Sequence, residues 1–313
     1  MLSTLLIVLP VFSLILAGWV VRRIGVLGPH ATSELNRFVV YLALPALLFR
    51  ITSHARLSDL WQPGFIAVFG IATLMIFVIT VAVRMRAPGN LADAAIDGLN
   101  AGYGNTSYMG FPITLAVLGH QALDLTTIAS IITVCIVFAL AIVLIEVDLQ
   151  SEAKSLHLAK KVGLSLICNP LLVAPALGAL FPITGLSVPA PAEEFLKLLG
   201  GAASPCALVA LGLFLAAKTE TSSRTSTSAS TAVLVGLKLV IHPIIVWFLA
   251  STVFDLTPTL TRTAVLLAAM PTGTGPFMLA EFYAREAAIT SRVILFSTVI
   301  SVLTVSIYLT MSS

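Results

Sequence analysis

The residues best suited to chemistry in this chain form two short runs, Asn105-Thr106-Ser107-Tyr108-Met109-Gly110-Phe111-Pro112 and Met270-Pro271-Thr272-Gly273-Thr274-Gly275-Pro276-Phe277. Each mixes amide or hydroxyl side chains with helix-breaking Gly and Pro, inside an apolar stretch long enough to cross a bilayer. Pro cannot donate a helical hydrogen bond and clashes with the carbonyl a turn earlier, and Gly adopts backbone angles that other residues resist. The first stretch should therefore unwind around 105–111. The second should do the same through Pro271, Gly273, Gly275 and Pro276. New half-helices then start near Pro112 and Pro276. A half-helix starting inside the membrane presents free N–H groups and a positive dipole end, which can hold an anion. Asn105, Thr106, Thr272 and Thr274 add neutral donors. With no obligatory charge of its own, such a site suits a carboxylate that must bind and then leave. Broken backbone at membrane depth is tolerated only where it is buried in protein or lines a cavity. Two breaks at corresponding places in two halves of a chain point to the binding site of a secondary transporter. The alternative is a pair of ordinary proline kinks.

The elements that must position these runs are membrane helices. Of 313 residues, 58% are hydrophobic and 10% charged, against about 25% charged in soluble domains, and the mean hydropathy is +1.05. This is an all-α integral membrane protein. Ten segments have spanning length: 3–21, 33–52, 64–83, 92–119, 124–147, 161–181, 193–217, 231–254, 259–284 and 288–311. The fourth and ninth hold the breaks. The first is read as a permanent helix, because no basic region precedes it and no small-residue cleavage site follows it. Loops after odd-numbered helices carry eleven Lys or Arg, from Arg22 and Arg23 to Arg285 and Arg292, and the opposite loops hold little beyond Arg56. This asymmetry places both termini outside the cell and the odd-numbered loops in the cytoplasm. Residues 148–160 are then a cytoplasmic loop, and the Ser/Thr-rich stretch 218–230 a cytoplasmic linker.

The chain also repeats internally. At an offset of 160, Pro10 meets Pro170, Gly18 meets Gly178, Gly25 meets Gly185, Pro29 meets Pro189, Glu34 meets Glu194 and Pro45 meets Pro205; Pro112 and Pro271 continue at 159. Each repeat has five helices, an odd number, so the second copy enters the membrane from the opposite face. The expected fold is two inverted five-helix repeats.

Ionisable residues inside a membrane are functional candidates. Asp97, Lys238 and Glu281 fall at similar depth, and Lys238 is expected to pair with Asp97 or Glu281. His242, one turn from Lys238 and followed by Pro243, could bond a freed carbonyl. All four are candidates for coupling or ion pairing. Asp93 should be solvated at the interface, and Glu34 and Glu194 should cap helices 2 and 7. Cys135, Cys168 and Cys206 lie in apolar segments and read as buried packing. The histidines are scattered without an HExxH, and there is no Cys-x-x-Cys, Walker loop or Gly-x-Ser-x-Gly. No metal, cofactor, enzyme activity, ATP-driven pumping or nucleic-acid partner is expected.

The two runs resemble the auxin efflux carrier family of plant carriers and bacterial dicarboxylate transporters. The plant pattern Asn-Thr-Leu-Val-Met-Gly-Ile-Pro matches residues 105–112, and Leu-Pro-Gln-Gly-Ile-Val-Pro-Phe matches 270–277. Residues 210–216, Ala-Leu-Gly-Leu-Phe-Leu-Ala, are similar too. The resemblance implies a fold like the bile-acid/sodium symporters, with crossing helices 4 and 9. Residues 1–52 and 161–217 would form a scaffold that dimerises, and 64–147 and 231–313 a moving, elevator-type transport domain. It implies a substrate carboxylate at Asn105, Pro112 and Pro271. Leu171 and Leu172 replace polar residues of the plant carriers, which makes auxin a poor substrate and shifts acid identity to these positions. The resulting expectation is a gradient-driven carrier of mono- or dicarboxylates in the cell membrane, coupled to protons in preference to sodium. The other readings are a sodium-coupled bile-acid-type symporter and a ligand-sensing receptor or scaffold.

Overall fold

The computed structural model describes residues 2–55, 60–86, 89–150, 163–217, 224–285 and 287–312. The expected loop 148–160 lies mostly outside these, as do the first residues of the linker 218–230 and the loop lysines Lys154, Lys160, Lys161 and Lys218. The described chain is helical, and its one extended pairing is an isolated antiparallel bridge between Gly104 and Thr272.

In chain order the helices are α1 (Leu2–Arg23), α2 (Ala31–Ser53), α3 (Pro63–Arg84), α4 (Leu91–Gly102), α5 (Thr106–Leu118), α6 (His120–Leu149), α7 (Pro170–Thr184), α8 (Ala190–Ala216), α9 (Ala229–Val253), α10 (Pro258–Ala268), α11 (Gly275–Phe282) and α12 (Ala287–Ser312). Helix α3 shows why these form. Pro63 occupies the first helical position, where its missing N–H costs nothing. Phe65, Val68, Phe69, Ala72, Ile76 and Phe77 make a buried stripe, and Ile71, Val78, Ile79 and Val83 make an exposed apolar face. A helix that is apolar on both sides has lipid as its outer neighbour. Asn90 and Asn169 start α4 and α7 by accepting hydrogen bonds from Asp93 N (2.8 Å) and Leu171 N (3.0 Å).

Six of these helices are long and apolar enough to cross a membrane: α2, α3, α6, α8, α9 and α12. Ten were expected as spans. The fourth and ninth are each split in two halves, α4 with α5 and α10 with α11. The sixth is interrupted at Asn169: residues 163–168 are helical, and α7 starts anew at Pro170. The first break is also shorter than predicted. Only 103–105 leave the helix, and Thr106–Gly110 form a π-turn into α5 because Met109 and Gly110 both donate to the Asn105 carbonyl at 3.1 Å.

Packing divides the helices. Helices α1, α2, α7 and α8 pack mainly on one another, α1 on α8 and α7 on α2; the remaining helices enclose the two breaks. Two of the close helix contacts recur at the repeat spacing. A Cβ on Gly18 would collide with the Val209 carbonyl, and one on Gly178 with the Phe49 carbonyl. Both members of each contact shift by 160 residues.

Three smaller expectations change. Neither Glu34 nor Glu194 caps a helix. Each forms an exposed pair one turn on, with Arg37 (3.8 Å) and Lys197 (3.4 Å). Cys168 is exposed, not buried, and Cys135 and Cys206 are half-buried.

Candidate functional site at the crossing of the broken helices

Helix α4 ends at Tyr103, whose N–H still reaches Leu99 O at 2.7 Å. Beyond it the chain runs extended and crosses 271–273. Asn105 N–H donates to Pro271 O (2.8 Å) and Gly273 N–H to Tyr103 O (3.0 Å), on either side of the Gly104–Thr272 pair. Each break thus supplies the backbone partners that the other lost, as a non-aqueous setting demands. The crossing is fixed further by Thr272, whose N–H donates to Ser297 Oγ (3.1 Å) and whose hydroxyl donates to Asn100 O (2.8 Å).

One face of the crossing opens on a cavity of about 50 Å³, room for a water or two at ~30 Å³ each. Tyr103, Gly104, Asn105, Ser107 and Tyr108 line it from the first break, and Gly273, Thr274, Gly275 and Met278 from the second. The opposite wall comes from α2 and α8. There Leu44 and Leu47 face Ser204 and Ala207, again 160 residues apart. Gly275 is dictated by proximity, since a Cβ there would stand 2.6 Å from Tyr103 Cζ.

Of the predicted anion-site residues, Asn105, Thr274 and Gly275 therefore line the cavity. Thr106 is fully buried off its wall. Thr272 has committed its hydroxyl to Asn100. Pro271 gives its carbonyl to Asn105, and Pro112 sits inside α5. In the regular α-helical part of each second half-helix, Phe111–Leu118 and Gly275–Phe282, the second residue is Pro112 or Pro276, so Pro276 is the structural counterpart of Pro112, and Pro271 lies in the break. Leu171 and Leu172 do not line the cavity; α2 and α8 supply that wall. Tyr103, Ser107, Tyr108 and Ser204 are wall residues that the sequence reading passed over. The signal was available for Ser204, which precedes the repeat-matched Pro205 as Leu44 precedes Pro45.

The charged candidates separate. Asp97, nearly buried, pairs with Arg84 at 2.5 Å, so it is not a partner for Lys238. Lys238 is fully buried and donates to the carbonyl of Ala268 (2.6 Å), with His242 Nδ1 at 3.1 Å. Its stem reaches the last residue of α10, whose carbonyl accepts from Nζ, and Nζ lies beside Gly104. Among the described residues His242 bonds no freed carbonyl. Thr73 spends its proton on Phe69 O (2.7 Å), so the His242 Nε2–H donates to Thr73 (3.2 Å) and Nδ1 accepts from Lys238. Glu281 forms no ion pair among the described residues. Asp93 is not simply solvated. Two 2.7 Å bonds tie it to Arg285, and they raise the Arg285 pKa above its ordinary value. Toward the start of α2, the Tyr283 hydroxyl donates to Glu146 (2.9 Å) and accepts from Asn169 (3.3 Å).

Comparison with known proteins places the chain among membrane transport proteins. A family model described as "Membrane transport protein" matches residues 4–309. The chain is 30% identical over 301 residues to the "Putative malonate transporter" of Rhizobium meliloti (strain 1021), covering 96% of this chain and 93% of that protein. It is 28% identical to an "Uncharacterized transporter" of Methanothermobacter thermautotrophicus, covering 76% and 75%. It is 22% identical to auxin efflux carrier component 8 of Arabidopsis thaliana, covering 92% and 91%. The chain belongs to the membrane transport protein family, that of the auxin efflux carriers, and is a multi-pass membrane transporter and not an enzyme.

Proposed function

We propose that this protein is a gradient-driven carrier of small organic anions, with the substrate carboxylate held at the crossing by Asn105, Thr274 and the backbone N–H groups around Gly275. One observation carries the reading. Two helices break at the same depth, repair each other through Asn105 N–H to Pro271 O, and leave a cavity at the start of a half-helix. The relative named as a malonate transporter makes malonate the first substrate to try.

The fold behind this reading is ten spans in two inverted repeats, with both termini outside. The paired contacts Gly18–Val209 and Gly178–Phe49 support it, as do the cavity positions Leu44/Ser204 and Leu47/Ala207. Helices α1, α2, α7 and α8 then act as a scaffold and dimer surface, against which the bundle holding the crossing slides as an elevator. Lys238 places a buried amine at the C-terminal end of half-helix α10, where a coupling cation would otherwise sit. The carrier accordingly needs no sodium, and works with protons or by facilitated diffusion.

The test is uptake of labelled mono- and dicarboxylates into liposomes containing the purified protein, with sodium and pH gradients imposed in turn. Saturable binding without flux under every gradient would replace the carrier with a ligand-sensing receptor.

A further inference from the structure

Beside the crossing, toward the end of α2, lies a second and larger cavity of about 390 Å³. It shares Leu47 and Ser107 with the crossing cavity, so the two adjoin. Its wall carries Arg50, His54, Thr127 and Ser130. Ser130 is fully buried, and neither its hydroxyl nor that of Ser107 has a hydrogen-bond partner. Unpaired hydroxyls in a low-dielectric wall are costly unless something supplies an acceptor. The cation beside them is held by a carboxylate of this chain. Arg50 Nε donates to Glu193 Oε1 at 2.6 Å, and His54 Nε2 lies 3.3 Å from Glu193 Oε2, which makes no hydrogen bond. The repeat gives no counterpart on the other side of the crossing, where Ala210 takes the position matching Arg50.

We propose that Arg50, Ser107 and Ser130, with His54 at the rim, form an anion subsite for the second carboxylate of a dicarboxylate whose first carboxylate sits at the crossing. Glu193 occupies Arg50 in the empty protein, and the incoming carboxylate displaces it. Leu47, which lines both cavities, is one helical turn from Arg50 on α2, so the two anion positions adjoin, as a short dicarboxylate requires. A monocarboxylate leaves the subsite to Glu193 and gains nothing from it. This inference rests on the carrier reading for the first carboxylate position. It adds the substrate class and the residues that select it.

The experiment compares malonate with propionate on the purified protein, by ligand-induced thermal stabilisation and by counterflow in liposomes. Arg50→Ala should weaken malonate binding by about tenfold or more, because a charge-assisted bond is lost, and leave propionate binding within about twofold. Ser130→Ala removes only an unpartnered hydroxyl, so it should fold normally and weaken malonate binding alone by about threefold or more. Glu193→Gln should tighten malonate binding. The subsite is overturned if Arg50→Ala and Ser130→Ala affect both acids equally or neither, or if Glu193→Gln weakens malonate. Binding that follows the expected pattern without counterflow would keep the subsite and remove the carrier reading. Counterflow of malonate that ignores these substitutions would do the reverse.

Discussion

The Lys238 amine donates a 2.6 Å hydrogen bond to the carbonyl of Ala268, the last residue of α10. The buried amine is thus held by the last carbonyl of a half-helix and by a histidine ring nitrogen, with no carboxylate ion-paired to it among the described residues. Anion uptake should accordingly run at the same rate in sodium, potassium or choline. Lys238→Met leaves the Ala268 carbonyl and His242 Nδ1 without their donor, at a cost of about 1–3 kcal/mol each, so its flux is read per folded protein. Its flux should fall by about tenfold or more, the equivalent of about 1.4 kcal/mol of anion stabilisation. Near-normal flux in Lys238→Met would reduce the lysine to a structural role.

Gly275 and Tyr103 form the narrowest point of the crossing. In Gly275→Ala the new methyl would meet the Tyr103 ring, with Cζ at 2.6 Å. Overpacking of this kind costs about 1–3 kcal/mol, and here the strain falls on the anion site, so substrate affinity should drop by about tenfold. Adding Tyr103→Ala removes the obstruction. The double variant should bind better than the sum of the single effects allows, and additive losses would mean the two residues do not couple.

Arg84 and Asp97 form an asymmetric pair, with side chains 37% and 7% exposed. Removing the arginine leaves a buried carboxylate alone, which costs about 3–5 kcal/mol for a fully buried pair and less here because water reaches Arg84. Arg84→Ala should therefore lower the unfolding temperature clearly, and Arg84→Ala with Asp97→Asn should recover most of it. Equal melting of the single and double variants would show that Asp97 tolerates isolation.

The close approaches at Gly18 and Gly178 give a test of the repeat. A side chain at either would press on a backbone carbonyl of the facing helix, Val209 or Phe49. Gly18→Val and Gly178→Val should each destabilise by about 1–3 kcal/mol, to similar extents, with substrate affinity unchanged in the folded fraction. Markedly different costs, measured by thermal unfolding in detergent, would argue against equivalent environments.

Much of this was legible in the residues. Pro112, Pro271 and Gly273 announced the two breaks, whereas the matched Pro45 and Pro205 only adjoin the wall positions Leu44 and Ser204, which the structure revealed. The length of the first break was not legible. It depends on Asn105 N–H finding Pro271 O, a partner 166 residues away in sequence. Side-chain roles at the crossing were misjudged for the same reason. Thr272 and Thr274 look equivalent in the chain, yet one donates to Asn100 O and the other faces the cavity.

The sequence by itself determined that the chain crosses a membrane and that two crossings are broken. Lipid offers the backbone no hydrogen bonds, so every helix must be apolar and self-satisfied, and a departure shows in local composition. Only the tertiary structure decided which buried groups answer one another: Lys238 to Ala268 and not Asp97, Asp97 to Arg84, Asp93 to Arg285. Such choices are made by distances of a few ångströms between helices far apart in the chain, where desolvation makes one short contact outweigh any pairing suggested by depth alone.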